Sequence, residues 1–134
     1  VYEAIERQSG ELGLFGLTMT YSGHPVASAV ALETLKIYEE LHIVDHVQQV
    51  GPSLVSGLMN LRSHSLVKEV RGIGLLAGVE LAPNYGAKCA RIAEEEGLIV
   101  RAIGDTIAFC PPLIISELEV RELLKRFTNA LNRL

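Results

Sequence analysis

Two hydrophobic periods alternate along this chain, and they predict helices at both ends around a short run of strands. From Pro25 to about His42, the residues Val26, Val30, Leu35, Ile37, Tyr38 and Leu41 support a helix, and Ala27, Ser28, Ala29 and Ala31 keep one side small. Pro25 suits a first turn, where its missing N–H costs nothing. Few charges precede Glu33, so the first half of this helix is expected to be buried on nearly all sides. A second helix is predicted from Val44 to about Arg62, with Val47, Val50, Leu54, Leu58 and Leu61 as its apolar stripe. Pro52 lies inside that stripe and predicts a kink or break near Gly51. Upstream, Val1 to Arg7 reads as the last turns of a helix or as an extended tail. Gly10, Gly13 and Gly16 make residues 8–19 a connector.

Beyond the loop Ser63-His64-Ser65 the pattern changes. Leu66–Arg71 reads as an edge strand and Leu75–Leu81 as a buried one, with Gly72 and Gly74 marking a tight turn or bulge between them. Ala82-Pro83-Asn84-Tyr85-Gly86 is a turn cluster. Ala87–Glu96 is predicted helical, with Gly97 at its C-cap. Strands follow at Leu98–Ala102 and Thr106–Phe109, around the turn Ile103-Gly104-Asp105, and Pro111-Pro112 stops the sheet. Ser116, with Glu119 three residues on, predicts a capping box for a last helix. Leu118, Val120, Leu123, Leu124, Phe127, Leu131 and Leu134 form that helix's inner face. The order defines an α+β layer with helices over one face of a small sheet.

Composition narrows the function classes. The chain has 134 residues, enough for one domain with a real core, at 49% apolar and 21% charged. Its net charge of −4, with no basic run, argues against a nucleic-acid partner. No apolar stretch approaches the roughly 20 residues of a membrane span. No signal peptide is visible, and the opening valine suggests that Val1 is not a natural start. Cys89 and Cys110 form neither a disulfide framework nor a CxxC pair; two thiols in a reducing cytoplasm is the plain reading.

Several motifs carry less than they suggest. Gly72-Ile73-Gly74-Leu75-Leu76-Ala77 has the dinucleotide-binding spacing, but a strand-like run follows it instead of a helix. His42 and His46 stand i, i+4 with no obvious third metal ligand. His64 has nothing near it in sequence that argues for catalysis. Glu94-Glu95-Glu96 and Glu39-Glu40 read as solvated helix surface, and Ser22 with His24 lacks an orienting third group. Two features are more open. The hydroxyls of Thr18, Thr20, Tyr21 and Ser22, at a helix entrance, divide evenly between capping and anion binding. Arg101 interrupts the apolar run Leu98-Ile99-Val100. It snorkels to water or captures a carboxylate, and Asp105 is either its partner or a turn residue.

Five segments in order, Thr20-Tyr21-Ser22-Gly23-His24-Pro25-Val26, Val70-Arg71-Gly72-Ile73-Gly74-Leu75, Gly97-Leu98-Ile99-Val100-Arg101, Gly104-Asp105 and Pro111-Pro112-Leu113-Ile114-Ile115, resemble the C-terminal part of class III aminotransferases. These enzymes use pyridoxal 5'-phosphate (PLP), and the look is that of the ω-amino acid or amine:pyruvate type. The resemblance implies the small C-terminal domain of a fold-type I PLP-dependent transferase, an antiparallel-type sheet covered by helices. Residues 1–22 would be a remnant of the large domain and its connector, 23–42 an interdomain helix and 43–134 the small domain. It implies that Thr20 donates to the PLP phosphate of the neighbouring subunit in a homodimer, and that Met19 lines the partner's active site. Arg101 matches a mobile arginine that pairs with the substrate carboxylate. The reaction implied is amino transfer from an ω-amino acid or amine to pyruvate or another keto acid.

The catalytic lysine of such enzymes lies upstream of the threonine motif, and no lysine precedes Thr20 here. Lys36, Lys68, Lys88 and Lys125 match no catalytic position. The chain therefore resembles the C-terminal third of an enzyme and is expected to be inactive alone, with no catalytic residue of its own. The alternative is a non-catalytic α+β dimerisation or small-molecule-binding module.

Overall fold

The computed structural model describes residues 1–14, 20 and 22–134. Two compact units divide them, Val1–Glu40 and Leu41–Leu134. The first holds α1 (Tyr2–Leu12) and α2 (Pro25–Glu40). Helix α1 runs through residues expected to begin the connector and stops at Gly13, whose φ of 69° is the left-handed cap a glycine adopts freely. Helix α2 starts at Pro25 as predicted, but none of its residues is buried: Val26, Val30, Leu35 and Leu41 beyond its end are all about 60% exposed. The expectation of all-round burial is thus not met within this chain. The apolar pattern is present and its cover is not among the described residues.

The second unit contains α3 (Ile43–Met59), a 3₁₀ turn (Asn60–Ser63), β1 (Val67–Ile73), β2 (Leu76–Leu81), α4 (Gly86–Glu95), β3 (Arg101–Ile103), β4 (Thr106–Phe109) and α5 (Glu117–Asn132). The strands form one antiparallel sheet in the order β1-β2-β4-β3. Alternation sorts its faces. Val70, Ala77, Val79, Leu81, Ile107 and Phe109 are buried beneath the helices, while Arg71, Gly78, Ala108 and Arg101 form one cross-strand row on the other face. Leu54 and Leu58 of α3 and Val120, Phe127 and Leu131 of α5 complete the core. Phe109 and Phe127 meet edge to face, ring centres 4.8 Å apart at 80°.

Helix α3 passes through Pro52 unbroken. Val50, Leu54 and Leu58 are buried on both sides of the proline, and that burial outweighs a cost of about 3 kcal/mol for its lost hydrogen bond and clash. A Cβ at Gly51 would lie 2.7 Å from the Cα of Gly74, so α3 rests directly on the β1–β2 turn. Both hairpins have two-residue turns, Gly74-Leu75 and Gly104-Asp105, with the glycine at positive φ in first place.

Strand β3 is shorter than predicted. Arg101 pairs with Ala108, so an extension back to Leu98 would oppose Cys110 and Pro111. Proline has no N–H for a ladder, and residues 98–100 leave the sheet, with Ile99 90% exposed. The capping box forms as read: the Ser116 hydroxyl accepts from the Glu119 N–H at 3.3 Å, and the Ser116 N–H donates to the Glu119 carboxylate at 2.8 Å. The Ser116 hydroxyl also donates to the Glu119 carboxylate at 2.7 Å, and this bond, ahead of the one from the Ser116 N–H, holds that carboxyl below its ordinary range. The GxG stretch lies on β1 and its hairpin turn, a geometry that opens no helix.

Candidate functional site

Thr20 stands in a turn five residues before Pro25, exposed, with no hydrogen bond to another described residue. His24 takes two backbone N–H groups at the start of the helix that follows. The Ala27 N–H donates to His24 Nδ1 at 3.4 Å and the Ser28 N–H to the His24 carbonyl at 2.9 Å. A hydroxyl and helix-start N–H groups are both donors that an anion such as a phosphate can accept from. Thr18, Met19 and Tyr21 lie outside the described residues. Thr20 belongs to the first unit and Arg101 to the second.

Arg101 opens β3, the edge strand, on the face away from the core helices. It is exposed and forms no ion pair among the described residues. Arg71, in the same row at the opposite edge, is held by Glu69 at 3.1 Å and Glu80 at 3.2 Å. Among the described residues Arg101 is therefore a charged fork without an ion-pair partner, able to take a carboxylate in two parallel hydrogen bonds. Asp105 is not that partner. Its carboxylate accepts from the backbone N–H of Gly86 at 3.0 Å and of Asn84 at 3.1 Å, and these bonds, Gly86 first, hold its pKa below the ordinary value. Of the two readings the sequence leaves open, the turn residue is correct, with a long-range role that local sequence does not show. One signal points to it: Tyr85, the N-cap of α4, makes no side-chain cap, so that helix start needs an acceptor from elsewhere.

All four lysines are exposed. Lys36 pairs with Glu33 at 3.1 Å, Lys88 donates to the Leu134 carbonyl at 3.1 Å, Lys125 lies 4.0 Å from Glu122, and Lys68 is exposed on β1. No charged residue is buried among the described residues. His42 faces Asp45 at 3.6 Å, and His46 Nε2 lies 2.9 Å from the Ile115 carbonyl oxygen. The thiols differ. Cys89 is buried and its pKa is pushed up to about 11 by that burial, whereas Cys110 is exposed. One thiol per chain, Cys110, is expected to react with a disulfide reagent under native conditions, and Cys89 only after denaturant is added. Two fast thiols in the native protein would contradict the packing around Cys89.

The class III aminotransferase family model matches residues 1–131, and the chain belongs to this family. It is 40% identical to gamma-aminobutyrate transaminase 1, mitochondrial, of Oryza sativa subsp. indica, covering 98% of this chain and 28% of that protein. The same identity and coverage hold for gamma aminobutyrate transaminase 3, chloroplastic, of Solanum lycopersicum. Among solved structures, the Pseudomonas jessenii ω-transaminase in complex with PMP is 47% identical with a TM-score of 0.86, over 98% of this chain and 32% of that one. A transaminase with L-Ala is 42% identical with a TM-score of 0.87, over 98% and 34%. The α+β fold is therefore that of about one third of a fold-type I transaminase, and the chain spans less than a third of the length of the curated relatives it matches.

Proposed function

We propose that this chain is the C-terminal part of a PLP-dependent class III aminotransferase. The parent transfers an amino group from an ω-amino acid or amine to pyruvate or another keto acid. Residues 1–22 belong to the large domain and connector, 23–42 link the domains, and 43–134 are the small domain. The observation that carries the reading is Arg101: an exposed guanidinium with no ion pair among the described residues, on a sheet edge, in a chain of this family. Arg101 binds the substrate carboxylate through its fork and so orients the amine at the substrate's other end. Thr20 donates its hydroxyl to the cofactor phosphate of the partner subunit in a homodimer, and Met19 lines that subunit's site. PLP, when bound, supplies the electron sink for the transfer. Its covalent anchor is the lysine that the family resemblance places upstream of Thr20, where these residues hold none. The apolar, exposed α2 supports the domain-linking role, since such a surface marks an interaction face. Two free cysteines favour a reducing compartment such as the cytoplasm. No helix of the described residues is long and apolar enough to cross a membrane.

The test joins the chain to the N-terminal two-thirds of the Pseudomonas jessenii ω-transaminase, in place of that enzyme's own C-terminal third. The hybrid is expected to bind PLP and transfer amino groups to pyruvate, whereas the 134-residue chain alone does neither. In the hybrid, Arg101→Ala is expected to raise KM for 4-aminobutyrate on the order of tenfold or more and leave an uncharged amine such as 1-phenylethylamine within about twofold. Amino transfer by the chain alone, or an Arg101→Ala variant that treats both donors alike, would refute the reading.

A further inference from the structure

Strand β3 has three residues and a partner on one side only, so the ladder to β4 gives Arg101 little support. Short edge elements with exposed hydrogen bonds open most readily. The hairpin has a second anchorage. The two oxygens of the Asp105 carboxylate take the N–H groups of Gly86 and Asn84, and the Asp105 carbonyl accepts the Leu81 N–H at 2.9 Å. One residue thus ties the β3–β4 turn to the end of β2, to the β2–α4 loop and to the start of α4. An acid at a helix N-terminus is favoured by the unpaired N–H groups and the partial positive charge there. The contact is also tight: a Cβ on Gly86 would overlap the Gly104 carbonyl oxygen and stand 2.8 Å from the Asp105 Cα. Asn84 turns its backbone to a φ of 71° beside the same carboxylate.

We propose that Asp105 is a positioning residue for Arg101: by clamping the β3–β4 turn onto the start of α4, it fixes the place of the guanidinium on the sheet edge. This rests on the reading of Arg101 as the carboxylate-binding group. Asp105 touches no substrate and makes no ion pair with Arg101; it acts through the backbone of the hairpin.

Two measurements test it. In the 134-residue chain, Asp105→Ala is expected to speed amide hydrogen exchange at Arg101, Ile103 and Thr106 about tenfold or more, with Arg71, Ile73 and Gly78 changing less than about twofold. Ser116→Ala, which removes the α5 cap far along the chain, serves as the control for general destabilisation and should not single out β3–β4. In the hybrid aminotransferase, Asp105→Ala is expected to raise KM for 4-aminobutyrate about tenfold while KM for 1-phenylethylamine and kcat for both stay within about twofold. Asp105→Asn keeps one acceptor oxygen and should fall between wild type and Asp105→Ala. Equal acceleration of exchange in both hairpins, or equal loss for both donors, overturns the clamp. If Arg101→Ala itself fails to distinguish the donors, the Arg101 reading falls first and this inference with it. If Arg101→Ala distinguishes them and Asp105→Ala does not, the inference alone is wrong.

Discussion

Phe127→Ala is expected to destabilise the second unit by about 3–5 kcal/mol, the range for emptying a large aromatic site in a packed core. Phe127 is fully buried, and its ring stands edge-on to Phe109, the last residue of β4. Removing it deletes the aromatic contact between α5 and β4. A unit of this size holds on the order of 5–15 kcal/mol in all, so the variant should sit near the edge of folding at room temperature. Urea denaturation followed by circular dichroism measures the change. A loss below about 1 kcal/mol would mean that the core between α5 and β4 closes over the gap, contrary to the close packing seen here. Phe127→Leu, which restores most of the volume, should recover a good part of the loss.

Gly86→Ala should cost at or above the upper end of the roughly 1–3 kcal/mol typical of overpacking. The added methyl group meets backbone, the Gly104 carbonyl oxygen and the Asp105 Cα, so relief requires moving the whole β3–β4 turn. The Gly86 N–H remains available to Asp105, which separates this steric effect from loss of the hydrogen bond. Gly57→Ala is the matched comparison. The nearest atoms its Cβ meets, Cδ1, Cδ2 and Cγ, all belong to the Leu124 side chain and none to backbone, and alanine favours a helix interior by up to about 1 kcal/mol. Gly57→Ala should therefore lie near neutrality. Similar midpoints for the two variants in thermal melts would show that the glycine at the α4 start is a propensity choice and not a spacing requirement.

What could be read from sequence in this protein follows the range of each interaction. The Ser116–Glu119 box and the Gly74 and Gly104 turns are local devices, and each forms where its residues predict. The stripes of α3 and α5 are equally legible because burial imposes a helical period, except at Leu118, which the sequence places on the inner face of α5 and the structure leaves 69% exposed in its first turn. The break expected at Pro52 does not form, since a local rule about proline competes there with burial on both sides of it. The length of β3 depends on what lies opposite in β4, and Pro111 becomes relevant only once the register is known. The partner of Asp105 is some twenty residues upstream, with nothing at Asn84 or Gly86 that names it. Helix α2 is the converse case. Its apolar pattern describes the surroundings it is suited to, and those lie outside the described residues. Of the site residues, Arg101 is legible as a charge in an apolar run, and its lack of an ion-pair partner among the described residues becomes visible only in the fold.

The strand order β1-β2-β4-β3 also has a kinetic meaning. Each outer strand is joined to its inner neighbour across a two-residue turn, so both hairpins can close quickly from nearby residues. The pairing of β2 with β4 is different, because it brings together Ala77 and Phe109, roughly thirty residues apart in the chain, at the larger entropy cost of a longer loop. Helix α4 occupies that loop and shortens the distance to be searched. The speed at which the sheet assembles is thus set mainly by a single seam at its middle, with two ready-made halves on either side.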